Sequence, residues 1–138
     1  MLTKADLEKL ATARLADAIL LLNSGGSSSA YYLAGYAVEL GLKARIATLF
    51  RPNEIPDKAF VTAIYTHRFA NLVSTAGLLP EFNREVGADP TFAANWAIAN
   101  QWSEESRYEM WSVFSATALL LAISEPAHGV FQWIRRYW

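Results

Sequence analysis

The chain has 138 residues, of which 53% are hydrophobic and 13% aromatic; its formal net charge is −1 and it contains no cysteine. This is the core of one domain, residues 1–138, too apolar for a disordered chain, without a disulfide framework or thiolate metal site, and without a general basic excess to draw it onto nucleic acid. The lack of cysteine fits a reducing, cytoplasmic setting.

The opening stretch MLTKADLEKLATARLADAILLL scatters charges as far as Asp17 and has no small-residue cleavage site after its apolar end. It reads as the start of the mature chain rather than as a signal peptide. Leu7, Leu10, Ala11, Arg14, Leu15, Ala18, Leu21 and Leu22 recur at helical spacing, with Lys4, Glu8, Lys9 and Asp17 off the stripe. That pattern predicts an amphipathic first helix ending at Asn23 to Gly26. In NSGGSSS the glycines supply a helix stop and the serines a start, because Gly tolerates positive φ and Ser caps free amide groups. A second helix is expected from about Ser28 to Phe50, broken by the prolines of RPNEIPDK.

A third helix is expected to begin near Thr66 as N-cap, with Phe69, Leu72, Val73 and Ala76 on one face and Gly77 as its end. Two short helices, around Glu81 to Val86 and Phe92 to Asn100, are expected on either side of GADP. Ser103 followed by Glu104 and Glu105 offers a cap and two negative charges at the positive end of a helix dipole, predicting a helix to about Ile123. Its apolar run VFSATALLLAIS is shorter than the roughly 20 residues that cross a bilayer. No membrane association is expected. Pro126 is placed at the first turn of a last helix lined by Val130, Trp133, Ile134 and Tyr137. There is no β-alternation, so the fold class is all-α: an antiparallel bundle of four to six helices.

Within the second helix, AYYLAGYAVELGLKA aligns Ala30, Ala34, Ala37 and Gly41 in a narrow seam that admits a close neighbour. Glu39 lies opposite, with Tyr32, Gly35, Tyr36 and Lys43 on its side. In the plain reading, Glu39 and Lys43 are a surface i, i+4 pair contributing a few tenths of a kcal/mol. The flanking tyrosines and leucines instead suggest burial, which demands a partner for the carboxylate, either Arg107 or His67. A ligand-facing role for the acid is the third reading.

His67, in YTHRF, is expected at a helix start, where the dipole favours neutral imidazole. Such a residue is more often a cap or hydrogen-bond partner than a catalyst. His128, just after Pro126, has less support. Two histidines without cysteine or a paired acidic motif argue against a metal site. GGSSS lacks the Lys and spacing of a P-loop and reads as a turn. No serine stands in a G-x-S-x-G elbow.

WSEESRYEMW places Trp102, Arg107, Tyr108 and Trp111 together, and its arginine can stack on a ring while forking onto a carboxylate or phosphate. Pairing of Arg107 with Glu104 or Glu39 is the plain reading, a ligand contact the other. FQWIRRYW sets Arg135 and Arg136 among four aromatics; packing against the bundle or a second subunit is favoured over a grip on RNA.

Taken in order, YYLAGYAVELGLKA, the Thr66–His67 pair, the AGL of Ala76 to Leu78 and NWAIANQWSEESRY resemble the HEPN superfamily, the higher eukaryotes and prokaryotes nucleotide-binding domain, over nearly the whole chain. The resemblance implies an all-α bundle, commonly a homodimer, from a superfamily tied to RNA cleavage, toxin and antitoxin pairs, and defence. Several members stand beside a small nucleotidyltransferase partner. Its ribonucleases carry an arginine, four to six residues, then a histidine, and form a metal-independent site between two copies. Here no histidine follows any arginine at that spacing; after Arg107 the expected positions hold Ser112, Val113 and Phe114.

Three readings result. The first is a dimeric binding or partner module for a nucleotide, RNA or a nucleotidyltransferase-type protein, without catalysis and without a cofactor. Its candidate cluster is Tyr32, Tyr36, Glu39, Lys43, His67, Arg107 and Tyr108. The second is a metal-independent ribonuclease with a rearranged site, His67 as base and Arg107 as phosphate clamp, which requires the two within reach of one substrate. The third is a bundle that only dimerises through its aromatic termini.

Overall fold

A computed structural model describes residues 2–138, and among them all regular structure is helical. The helices are α1 Lys4–Asn23, α2 Ser27–Ala47, α3 Lys58–Ile64, α4 Phe69–Thr75, α5 Leu79–Ala88, α6 Pro90–Ala99, α7 Val113–Ser124 and α8 Val130–Arg135, with a 3₁₀ helix at Glu104–Tyr108. The fold is the expected all-α bundle. Eight α-helices exceed the four to six expected; the one with no counterpart in the sequence reading is α3, whose seven residues are too brief for a periodic pattern.

Thr3 starts α1 with a capping box: its hydroxyl accepts the Asp6 N–H at 3.1 Å, and its own N–H donates to the Asp6 carboxylate at 2.9 Å. The turn into α2 needs Gly25, whose φ of +89° lies in the left-handed region. α2 is then the axis of the molecule, touching α1, α4, α7, α8 and the 3₁₀ helix. Ala30, Ala34 and Ala37 have no exposed surface, as the small-residue seam predicts. At Gly41 the seam ends against Phe131, Ile134 and Trp138, and the Trp138 indole donates to the Gly41 carbonyl at 3.0 Å. The aromatic C-terminus is thus packing material: Phe131, Trp133 and Ile134 are buried.

Several expected boundaries are corrected. The N-cap of α2 is Gly26, and the serines enter the first turn, where Ser27 donates to the Trp111 carbonyl at 2.7 Å and Ser28 accepts the Trp111 N–H at 2.8 Å. Those two bonds, with the Tyr31 and Trp111 rings stacked 3.8 Å apart, hold Trp111 out of any helix. The single helix expected from Ser103 to Ile123 is therefore two. Ser103 does start the 3₁₀ helix, and Ser112 restarts the chain by accepting the Ser115 N–H at 3.0 Å.

The third expected helix begins at Phe69 rather than near Thr66, and Thr66 instead accepts the Arg68 N–H at 3.3 Å in a loop turn. Pro126 precedes α8 rather than opening it. The turn there closes on Glu125, whose carboxylate accepts the N–H groups of Ala127 and His128. Gly129 follows as the N-cap, where a Cβ would lie 2.3 Å from the Glu125 carbonyl oxygen.

A chain of aromatic contacts crosses the core from α2 to the C-terminus: Tyr36, Tyr32, Trp102, Phe69, Trp96, Phe82, Trp133 and Tyr137. Its keystone is Trp102, 5.2 Å from Phe69 and 5.9 Å from Tyr32 and lying directly on Gly35. A Cβ on Gly35 would stand 2.3 Å from three atoms of the indole ring. Gly35→Ala should therefore displace Trp102 and cost about 3 kcal/mol, the upper end of ordinary overpacking. Urea denaturation followed by tryptophan fluorescence checks this; an unchanged midpoint would show that the ring moves aside freely.

Candidate functional site

Glu39 is 2% exposed, in the middle of the central helix. Its Oε1 accepts from the Lys43 ammonium at 2.8 Å and bonds His67 Nδ1 at 2.9 Å. Of the two partners expected for a buried carboxylate, His67 is the one found. Arg107 is not, because the 3₁₀ helix carries it to the surface, its guanidinium 4.9 Å above the Tyr108 ring. The Lys43 contact is the expected i, i+4 pair, but made where the Glu39 side chain is 3% and that of Lys43 18% exposed, so it neutralises a desolvated charge rather than decorating a surface.

His67 reaches Glu39 from the loop between α3 and α4, not from a helix start. An ionised carboxylate only accepts, so Nδ1 carries the proton on the Glu39 side. In the neutral ring Nε2 is then an acceptor on a side chain 45% exposed. This is the arrangement of an acid-oriented imidazole.

The other expected residues extend along α2 from this point. Tyr36 and Tyr32 are half-buried and stacked, 6.0 Å between centroids and 7° between planes. Burial, reinforced by the Glu39 charge, pushes the Tyr36 phenol above its ordinary pKa. Beyond Tyr32 a groove of about 510 Å³ is lined by Leu21, Leu33, Tyr32, Arg107, Glu109 and Met110. The Tyr108 phenol, and more weakly that of Tyr32, holds the Arg107 guanidinium above its usual range.

The seven candidates therefore form one strip with two ends. Glu39, Lys43 and His67 are bonded together, Arg107 and Tyr108 sit at the far end, and Tyr36 and Tyr32 lie between. Glu39 follows Tyr32 by seven positions, a rise of about 10 Å along α2. Arg107 and His67 share no hydrogen bond among the described residues; Arg107 borders Tyr32 and His67 bonds Glu39.

A second carboxylate and imidazole pair was not singled out by the sequence. Asp89 caps α6 with Oδ1, accepting from Thr91 and Phe92 N–H at 3.0 and 3.1 Å, and bonds His128 Nδ1 through Oδ2 at 2.6 Å. Asn95 donates to the His128 carbonyl at 2.9 Å. The pair fastens the α5–α6 junction to the α7–α8 turn, and Arg136 to Glu85 at 3.4 Å lies beside it. The available signal was the Asp-Pro of GADP, a helix start whose acid has an oxygen to spare. Among the described residues no set of three histidine, aspartate or glutamate side chains gathers as metal ligands.

Comparison of the chain with family models, with curated proteins and with solved structures returns no match.

The Asp89–His128 pair has a pH signature. The bond to Asp89 raises the His128 pKa, and the bond to His128 lowers that of Asp89. The histidine contribution is complete below the ordinary imidazole pKa and is lost as pH rises through the raised value. The aspartate contribution is complete above the ordinary carboxylate pKa and is lost as pH falls through the lowered value. Stability relative to His128→Ala should thus be greatest in the mildly acidic interval between the two ordinary values and shrink on both sides. Urea midpoints of both proteins across pH test it; a constant difference would show that the pair does not titrate with folding.

Proposed function

We propose that this protein is a HEPN-like binding module that takes a nucleotide or single-stranded RNA along the α2 strip and works as a dimer in a cytoplasmic toxin–antitoxin or defence pair with a nucleotidyltransferase-type protein. The observation that carries the reading is the strip itself. Two stacked, half-buried tyrosines run between a cation, Arg107, at one end and a buried acid holding lysine and histidine at the other. Aromatic faces stack bases without regard to sequence, and an arginine beside them suits a phosphate. The formal charge of −1 argues for a short, local contact rather than a long basic track.

One observation favours the ribonuclease reading as a second choice: the His67 ring is 45% exposed while Glu39 holds its Nδ1. A general base needs that geometry. Against it, Arg107 borders Tyr32 while His67 bonds Glu39, positions about 10 Å apart along α2, so one phosphate is more readily shared with Arg107 from another copy. The test uses a short fluorescein-labelled single-stranded RNA without metal. Binding without cleavage is expected, weakened about tenfold by Tyr32→Ala, the weight of one stacked base, and similarly by Arg107→Ala. Cleavage that disappears in His67→Ala would replace the binding reading with the enzymatic one, and unaltered affinity in both variants would remove the strip.

Support for a dimer comes from the segment leading into α7. Tyr108, Met110, Val113 and Phe114 are 73%, 92%, 58% and 84% exposed, an apolar cluster of the kind that isolated domains seldom leave to water. Arg107 and Glu109, beside it, form no ion pair with any described residue and would answer each other across a twofold axis. Light scattering should give a dimer for the native chain and a monomer for Phe114→Glu, with unchanged helical circular dichroism. A native monomer at all concentrations would exclude the surface as a self-contact.

A further inference from the structure

Both internal partners of Glu39 bond the same oxygen. Oε1 takes Lys43 and His67, while Oε2 accepts no hydrogen bond among the described residues. Nor is Oε2 one of the fully enclosed polar atoms without a partner, which are Glu81 Oε2, Trp102 Nε1 and Trp133 Nε1. It therefore keeps a contact with solvent although the residue is 2% exposed. The result is an acceptor fixed in place by two bonds on its twin oxygen, on the α2 face that carries Tyr36 one turn earlier.

Which donor suits it follows from charge. The single negative charge of Glu39 is already matched by Lys43, so a second cation on Oε2 would leave an excess of positive charge in a desolvated place. A neutral hydroxyl fits without that excess and gains the strength of a bond to an ionised acceptor. Next to a surface that stacks bases, the hydroxyl in reach is that of a ribose. Acidic side chains accept from ribose 2′-hydroxyls for this chemical reason, and that hydroxyl is what separates RNA from DNA.

We infer that Glu39 Oε2 is the acceptor for a ribose hydroxyl of a nucleotide stacked on Tyr36 or Tyr32, making the strip selective for ribose over deoxyribose. This rests on the base-stacking role proposed above for the strip. Lys43 and His67 act here as positioning residues, since they hold Oε1 so that Oε2 can point only one way. The ribose could belong to an RNA strand or to a free mononucleotide.

The experiment compares native protein binding to one labelled sequence as RNA, as 2′-O-methyl RNA and as DNA, alongside titrations with adenosine monophosphate and its 2′-deoxy form. RNA should bind about tenfold or more tightly than the other two strands, as expected for one hydrogen bond to a charged acceptor. The methylated strand keeps the RNA sugar shape but cannot donate, so it separates the hydrogen bond from helix geometry. A preference seen with the strands and absent with the mononucleotides assigns the polymer as ligand, and the reverse assigns the free nucleotide; either supports the inference. Glu39→Gln adds a second arm. Lys43 and His67 would capture the amide oxygen and leave the NH₂, a donor, where Oε2 stood, so the RNA preference should fall to about onefold while Tyr32-dependent binding survives. Equal binding of all three strands, with equal binding of the two mononucleotides, overturns the inference while leaving the strip as a stacking site. Absence of binding to every probe overturns both. If Glu39→Gln fails to fold, the ligand comparison alone decides.

Discussion

Everything distinctive in this bundle follows from placing a carboxylate inside its central helix. A lone buried charge is among the costliest groups a fold can hold, and removal of one partner from a buried pair typically costs 3–5 kcal/mol. Glu39 is accommodated because α2 supplies Lys43 one turn later and the α3–α4 loop supplies His67. The loop is in turn positioned by Phe69, which follows it immediately and stacks on Trp102. A charge in α2 and a core ring in α4 are thus two ends of the same constraint. A purely apolar residue at position 39 would pack without demanding either partner, so the acid is not explained by stability alone.

Trp102 and Trp111 divide the work of joining the 3₁₀ segment to α2. Trp102 lies on the flat made by Gly35, while Trp111 stacks on Tyr31 and donates its indole N–H to the Ser106 carbonyl at 3.0 Å. With both rings committed inward, the residues between them are turned outward. That is why Arg107, Tyr108 and Met110 are exposed although the sequence around them is aromatic enough to belong in a core. Arg107 is exposed and His67 is bonded to the buried acid: the bundle keeps its imidazole beside Glu39 and sends its guanidinium to the rim.

The all-α fold, the first two helices and the seam of Ala30, Ala34 and Ala37 were legible in the sequence, because long periodic stretches reveal which face is buried. That Glu39 must have a partner was also legible, from its apolar neighbours. What was not legible is instructive. Residues 103–123 read as one helix because Ser103, Glu104 and Glu105 make a good start and VFSATALLLAIS a good body; the break at Trp111 depends on Ser27 and Ser28, more than eighty positions away. The third helix was placed too early because Thr66 resembles a cap, whereas its oxygen serves a loop turn. The choice between His67 and Arg107 as partner depended on that loop. The Asp89–His128 bond joins two junctions thirty-nine residues apart, and the helix start at Asp89 gives no sign of its partner.

The missing arginine-to-histidine spacing takes on a different meaning once the elements are placed. A fixed spacing is informative only when both side chains come from one continuous helix, so that sequence distance is spatial distance. Here the segment holding Arg107 is a 3₁₀ helix followed by extended residues, and α7 starts anew at Val113. A histidine five to seven residues after Arg107 would fall across that break, at positions the fold leaves exposed. The chain instead brings its imidazole to Glu39 from the α3–α4 loop, some forty positions earlier. An acid from α2, an imidazole from the α3–α4 loop and a guanidinium from the 3₁₀ helix have no spacing for a linear pattern to detect. The chemistry open to such a set is decided by which groups can reach a common atom, not by their spacing along the chain.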